Sequence, residues 1–164
     1  IMPLDRLQTS FIHALHMSVE EAFLEYNLAP LSLRRDIAVL GFLHKVKLNR
    51  VHPLIRHLFT GGRWNRIILR DHMHRNPLES HWEDVRFVPS LYDRSIFNMV
   101  NVYNRLPQSF VDITCVSKFQ AKLTGVAREK CSNGAEDWQV FLSARHRNWN
   151  RIIGNINYRP FAFV

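Results

Sequence analysis

The stretch that decides the fold is LSLRRDIAVLGFLHKVKL, residues 31–48. Its apolar side chains recur at helical spacing and cover most of the circumference of the predicted helix. Less hydrophobic residues form one narrow stripe with Arg34, Ala38, Gly41 and Lys45, and we expect the glycine to allow close packing. A helix that is apolar on nearly every side belongs in a protein interior or an interface. This helix therefore needs packing partners on several sides.

Helical patterns also precede this stretch. Residues 4–16 have the spacing of an amphipathic helix. Ser18 and Glu21 have the spacing of a capping box, which predicts the start of a second helix. Ser32 is the predicted N-cap of the apolar helix, which we place over residues 33–48.

The region from residue 63 to residue 90 is the least regular part of the chain. Two short apolar runs in it, residues 66–69 and 85–88, have the composition of strands but no clean period. Helical spacing resumes at Tyr92, and Thr114 is the predicted cap of a further helix. We therefore expect a mainly α fold, a helical bundle of about five to six helices with a small irregular or β-hairpin insertion around residues 63–90.

Length and composition indicate one ordinary domain. The chain has 164 residues, of which 46% are hydrophobic and 22% charged, so it can bury a core of its own. We expect residues 1–142 to form a single helical domain and residues 143–164, which show no period, to form a basic and loosely ordered tail. No run of 18 uncharged apolar residues predicts a membrane span. No signal-peptide pattern opens the chain, so the compartment, nuclear or cytoplasmic, stays open.

The charge is basic and unevenly distributed. Lys and Arg number 22 against 14 Asp and Glu, which gives a formal net charge of +8. Six bases and one acid lie in residues 33–62, and four bases without an acid lie in residues 142–164, whereas residues 1–32 hold four acids and one base. Such a balance favours a polyanionic partner, and arginine makes bidentate contacts with phosphate. A solvated basic surface without a partner is the alternative.

The apolar helix and its extension are the best binding candidate. Arg34 and Lys45 share one stripe about three turns apart, a spacing that can span phosphates of RNA or DNA. Arg35 falls among apolar positions, so we expect it to be partly buried and paired with an acid such as Asp36 or Glu25. A purely structural role for this region stays open. The predicted nucleic-acid-binding residues are Arg34, Lys45, Lys47, Arg50 and Arg56.

No catalytic or metal-binding constellation is evident, and we predict no metal and no cofactor. The densest histidine cluster, His72, His74 and His81, does not form a standard zinc motif. Cys115 and Cys131 lie near opposite ends of one predicted helix, about 24 Å apart, so they cannot form a disulfide with each other. A small metal-dependent hydrolase that uses the three histidines is kept as an alternative.

The order of the motifs resembles the C-terminal, post-palm segment of the reverse transcriptase polyprotein of non-LTR (LINE-type, Jockey-like) retrotransposons. The motifs are LSLRR at residues 31–35, LF at 58–59, YNRLPQSFV at 103–111 and VSKFQAKL at 116–123. The resemblance covers about residues 4–142. It departs from the family in two respects: tyrosine begins the third motif where the family usually has tryptophan, and no Asp-Asp dipeptide of a polymerase centre occurs in the chain.

The resemblance implies a non-catalytic module of an RNA-directed DNA polymerase that contributes template or primer binding. Its partners would be the phosphate backbone of RNA or DNA and the remainder of the polymerase. Phosphoryl transfer needs carboxylates that hold two metals, so we expect no catalytic residue in this segment. The first residue, Ile1, also indicates a piece of a longer protein or a processed product. The alternative is a structural or protein-interaction unit, or a degenerate retroelement remnant without activity of its own.

Overall fold

The fold is seen in a computed structural model that describes residues 3–61, 78–80 and 95–144. Within these ranges the chain is mainly helical, as the sequence predicts, with seven helices, two of them single turns, and one pair of short strands. None of these helices is long and apolar enough to cross a membrane. The elements are α1 (Pro3–Ala14), α2 (Val19–Tyr26), α3 (Leu31–Lys47), α4 (Pro53–Arg56), β1 (Phe59–Gly61), β2 (Leu78–Ser80), α5 (Ile96–Tyr103), α6 (Gln108–Val111) and α7 (Val116–Ser132).

Helix α3 lies at the centre of the hydrophobic core. Leu33, Leu40 and Leu43 have no exposed surface, and α1, α5 and α7 all pack against this helix. The apolar circumference of α3 therefore finds its packing partners within the chain, as the interior placement of such a helix requires. The core continues through α5, α6 and α7 to Leu142. The predicted tail, residues 143–164, lies almost wholly outside the described residues.

Helix α2 begins with the predicted capping box. The backbone N–H of Glu21 donates to Ser18 Oγ at 3.0 Å, and the backbone N–H of Ser18 donates to Glu21 Oε2 at 3.4 Å. Two N–H groups that lack a partner inside the helix are thereby satisfied by side chains. At its other end, Asn27 adopts the left-handed conformation, with φ of 57°, and ends the helix.

The start of α3 differs from the prediction. Ser32 lies inside the helix, and the N-cap position belongs to Pro30, which makes no side-chain capping bond. Gln8 of α1 supplies the cap instead: its Oε1 accepts from the N–H of Leu31 at 2.9 Å, and its Nε2 donates to the carbonyl of Ala29 at 3.0 Å. The prediction was wrong because the helix begins two residues earlier than expected, where the side chain of Gln8, 23 residues away, satisfies the N–H of Leu31. The N–H of Arg34 already binds the Pro30 carbonyl.

Helix α7 has the two faces that its spacing predicts. Phe119 and Leu123 are buried against the core, whereas Lys118 is exposed. The helix begins one residue later than predicted, because Cys115 rather than Thr114 is its N-cap. The carbonyl group of that threonine accepts a hydrogen bond from Arg50, which lies just beyond the end of α3.

A short antiparallel strand pair, β1 with β2, lies at the predicted irregular insertion. Asn104 attaches it to α5, since its Oδ1 accepts from the N–H of Leu78 at 3.0 Å and its Nδ2 donates to the carbonyl of the same residue at 2.8 Å. Phe59 also stacks on Phe97 of α5, with ring centroids 5.5 Å apart. The two apolar runs predicted as strands, and Tyr92, the predicted start of α5, lie outside the described residues.

The segment after α7 packs onto α2. Trp138 and Phe141 are buried, and the indole ring of Trp138 stacks on Phe23 with ring centroids 5.2 Å apart. The same segment contributes Asp137, whose Oδ1 accepts from Lys130 Nζ at 3.1 Å. Since that lysine is itself nearly buried, the ion pair compensates the removal of its charge from water. These contacts close the core on the side of α2.

Helices α3 and α7 come close together at Gly41. A Cβ atom built on this glycine would lie 2.7 Å from Cδ and 2.9 Å from Cγ of Gln120. Real Cβ atoms almost never approach other atoms this closely, so a side chain at this position would force a shift. Gly41 therefore permits the contact, as expected, although glycine in a helix costs about 1 kcal/mol relative to alanine.

We expect Gly41→Ala to destabilise the protein by about 1 kcal/mol net, because overpacking the Gln120 side chain between α3 and α7 costs about 1–3 kcal/mol, whereas the gain in helix propensity offsets about 1 kcal/mol. Urea unfolding measures the difference. Gly125→Ala on α7 is the matched control: nothing lies within 4 Å of its built Cβ, so the gain in helix propensity should stabilise by about 1 kcal/mol. Adding Gln120→Ala to the first variant should restore most of the loss. A Gly41→Ala variant as stable as the wild type would contradict the close approach.

Candidate nucleic-acid interface

Four of the five predicted nucleic-acid-binding residues are exposed. Arg34 and Lys45 are exposed on α3, Arg50 is exposed just beyond it, and Arg56 is exposed at the end of α4. Lys47 is half-buried, and this burial lowers the pKa of its ammonium group from the usual value. Phosphate groups can therefore reach the predicted cations, with the lysine near the end of α3 the least accessible of the five.

Arg34 and Lys45 do not form one open stripe. Gly41 lies between them on the same side of α3, and it is buried under the side chain of Gln120 from α7. The two cations are about 16 Å apart along the helix axis, given a rise of about 1.5 Å per residue. Arg34 therefore lies among the charges at the N-terminal end of α3, and Lys45 lies among those at the C-terminal end.

Arg35 is exposed, so the expectation of partial burial was wrong. Its neighbours at helical spacing, Val39 and Phe42, are only partly buried, which places this side of α3 at the edge of the core. An apolar pattern shows that a helix is buried on several sides, but it does not show where the neighbouring helices stop. The arginine adds a cation to the N-terminal end of α3, next to Arg34.

The C-terminal end of α3 is joined to the start of α7. The chain turns at Asn49, whose φ of 57° lies in the left-handed region, and the backbone N–H of Arg50 donates to the carbonyl of Lys45 at 2.9 Å. The arginine side chain then reaches across, where its Nη1 donates to the carbonyl of Thr114 at 3.1 Å. Backbone and side-chain bonds together therefore hold this cation in a defined place.

This contact places the start of α7, with an exposed cation that the sequence did not assign to the site, beside the C-terminal end of α3. Lys118 is exposed on the first turn of α7, four residues after Thr114, whose carbonyl binds Arg50. Its spacing in the sequence indicates only that it faces solvent, because its neighbours on α3 are about 70 residues away. We call the resulting cluster the basic end, and it consists of Lys45, Lys47, Arg50 and Lys118.

Next to the basic end, a buried histidine of α3 contacts both α5 and α7. His44 has no exposed surface, and its ring stacks on Phe119 of α7 with ring centroids 4.1 Å apart. Its Nε2 lies 2.5 Å from the carbonyl oxygen of Ile113, and its Nδ1 lies 2.9 Å from the hydroxyl of Tyr103. A carbonyl only accepts, so Nε2 carries the proton, and Nδ1 of the neutral ring accepts from the hydroxyl. One side chain of α3 thus contacts α5, α7 and the segment that precedes α7.

Burial of His44 lowers the pKa of its imidazole, because the charged form is desolvated. The bond to the Ile113 carbonyl acts in the opposite direction, and the positive charges of Arg50 and Lys47 lower the pKa further. Burial likewise raises the pKa of the Tyr103 hydroxyl above its usual value. Both groups are therefore neutral at physiological pH, which suits the dry environment between the three helices.

In the parts of the chain that the structure describes, no group of three or more His, Cys, Asp or Glu side chains is arranged to hold a metal. The predicted histidine cluster, His72, His74 and His81, lies outside these parts. Cys115 and Cys131 are free thiols, which confirms that they do not pair with each other. Their positions at opposite ends of α7 give the reason.

Comparisons with known proteins give no relative: no protein-family model matches the chain, and no curated protein or solved structure matches it. The resemblance to retrotransposon polymerases therefore depends on the motifs of the sequence. In the fold, two of these motifs meet at one point. Tyr103 of the third motif and Phe119 of the fourth both contact His44, which lies on the helix that begins with the first motif.

We expect the free energy of unfolding to fall as the pH is lowered from about 7 to about 5. The pKa of His44 is lower in the folded protein than its ordinary value of 6.5, so the unfolded chain binds a proton more readily. The stabilisation is therefore complete above pH 6.5 and is lost as the pH falls through the folded pKa. Urea unfolding at a series of pH values between about 8 and 5 measures this dependence.

Two variants assign the pH dependence to one residue. His44→Gln keeps an N–H donor and a carbonyl acceptor but does not titrate, so its stability should change less between pH 7 and pH 5 than that of the wild type. His57→Gln replaces an exposed histidine next to α4 and should retain the wild-type dependence. Equal pH dependence in His44→Gln and the wild type would contradict the assignment.

Proposed function

We propose that this chain is a non-catalytic C-terminal module of the reverse transcriptase of a non-LTR retrotransposon, and that it contributes to binding template RNA or primer DNA. The observation that carries the nucleic-acid part is the basic end, where the Arg50–Thr114 hydrogen bond places the start of α7, which carries Lys118, beside the cations at the C-terminal end of α3. Lysine and arginine side chains that neutralise several phosphates supply most of the affinity for a nucleic-acid backbone. The ordered motifs of the sequence support the identity of the parent protein.

The distribution of charge also supports a defined orientation of the nucleic acid. The N-terminal region carries four acids and one base, whereas the basic end carries four cations. The acids are Asp5, Glu20, Glu21 and Glu25, and the base is Arg6. The field of such a molecule attracts a polyanion toward the basic end and repels it from α1 and α2. In this proposal α3 therefore presents its C-terminal end to the phosphate backbone.

The module binds nucleic acid in this proposal but does not catalyse phosphoryl transfer. Polymerases need carboxylates that hold two metal ions, and the chain has no Asp-Asp dipeptide. Polymerisation belongs to the whole reverse transcriptase, and the rest of that protein is the protein partner of this module. The contribution of the module is affinity, which makes the dependence of binding on salt the informative quantity.

Fluorescence anisotropy with a labelled single-stranded RNA tests the nucleic-acid part. We expect the logarithm of the association constant to fall linearly with the logarithm of the salt concentration, by about 0.7 per neutralised phosphate. The double variant Lys45→Gln/Lys118→Gln removes two cations of the basic end. Its binding should be weaker, and its salt dependence should decrease by about 1.4.

Arg6→Gln is the matched control, because it removes an exposed cation on α1, outside the basic end. This variant should bind RNA as the wild type does. If the wild type binds weakly and without dependence on salt, the nucleic-acid part of the proposal is wrong. The same conclusion follows if Lys45→Gln/Lys118→Gln and Arg6→Gln change binding equally, since the basic end would then have no special part.

The identity of the parent protein has a separate test, which is the sequence of the transcript upstream of Ile1. An open frame that continues into a polymerase palm, with an apolar residue followed by x-Asp-Asp, supports the proposal. A stop codon directly upstream contradicts a working polymerase module and indicates a stranded remnant. The result does not depend on the RNA-binding measurement, so the two parts of the proposal can fail independently.

A further inference from the structure

The apolar side of the amphipathic helix α1 is exposed to solvent. Leu4, Leu7, Phe11 and Leu15 expose 62%, 66%, 59% and 49% of their surface. These residues, which we call the α1 apolar face, follow one another at intervals of three or four and so line one side of the helix. The contacts of α1 with the core use Ile12, which is 1% exposed.

The α1 apolar face differs from the other exposed apolar side chains of the described residues. Leu54 on the single turn of α4 is 72% exposed, but only one other such side chain, Leu58, lies near it in the sequence. Scattered apolar side chains are normal at protein surfaces, whereas several on one side of one helix form a patch that indicates a binding partner. Three large side chains of α1, together with Leu15 directly after its end, meet that description.

We propose that residues 145–164 of this chain bind the α1 apolar face. This segment combines apolar and basic residues and has no acid, whereas α1 and α2 carry four acids and one base. Apolar contact and opposite charge therefore act together in this pairing. The arginines are Arg145, Arg147, Arg151 and Arg159, and the large apolar residues are Trp149, Ile152, Ile153, Ile156, Tyr158, Phe161 and Phe163.

The segment is attached next to α2, the helix that packs against α1. The described chain ends at Ala144, two residues after buried Leu142, and Trp138 of the same stretch stacks on Phe23 of α2. Helix α2 in turn packs against α1. Twenty extended residues reach up to about 66 Å, and α1 is only about 18 Å long, so the segment is long enough to cover the face.

The size of the face favours a tethered segment over a separate molecule. A stable interface between two proteins buries about 800 Å² and about 20–30 residues on each side, which four side chains of one helix do not supply. Association of separate molecules also costs translational and rotational freedom. A tethered segment is present at an effective concentration in the mM range, so a small face is sufficient. In a second copy of the chain, moreover, the acids of α1 and α2 would repel those of the first.

Limited trypsin digestion of the full chain tests this inference, which does not depend on the proposed function. We expect Leu7→Asn/Phe11→Asn to increase the rate of cleavage at Arg147 and Arg151 about tenfold, because the released segment is open to the protease for more of the time. Both substituted side chains are exposed, so the fold should be retained. Leu54→Asn is the matched control and should leave cleavage unchanged. Equal rates for the double variant and the wild type would overturn the inference.

A photo-cross-link identifies what covers the face. With p-benzoylphenylalanine in place of Phe11, we expect irradiation to link this position to a peptide from residues 145–164 of the same molecule. The same group in place of Leu54 should give no such link. Covalent dimers that increase with protein concentration would show that a second copy covers the face and would overturn the inference. Absence of any link to the segment would overturn it equally.

Discussion

The contacts of the His44 imidazole are the interaction on which the rest of the structure depends. Its ring stacks on Phe119, and its two nitrogen atoms bind Tyr103 and Ile113. A buried polar group left without a partner costs about 1–3 kcal/mol, so the histidine holds three separate parts of the chain in one arrangement. An apolar side chain would fill the same space, but it would not require a hydroxyl on one side and a carbonyl on the other.

The position of α7 against α3 has consequences at the surface. Because His44 fixes the start of α7 beside the C-terminal end of α3, Arg50 can bind the Thr114 carbonyl, and the first turn of α7, which carries Lys118, lies next to this end of α3. Gly41 makes the same packing possible one turn earlier in α3 by leaving room for a glutamine side chain. The basic end is therefore a product of core packing, although none of its four residues is fully buried.

The chain combines two ends of opposite charge. Acids dominate α1 and α2, while the basic end lies where α3 meets α7. If residues 145–164 cover the α1 apolar face, their four arginines lie beside these acids, and the basic end stays available for phosphate groups. The two proposals thus assign the two basic regions of the sequence to different tasks, one inside the molecule and one toward a nucleic acid.

The sequence by itself determined the elements with local causes. Helical spacing predicted α1, α3 and α7, the Ser18 capping box predicted the start of α2, and the glycine of α3 indicated close packing. Only the tertiary structure decided which side chains cap these helices and which of their sides are buried. Gln8 rather than Ser32 caps α3, Arg35 lies outside the core, and the apolar side of α1 faces solvent. The reason is physical: periodicity and caps depend on residues within one or two turns, whereas the partners of His44 lie 59 and 69 residues away, where no local pattern can indicate them.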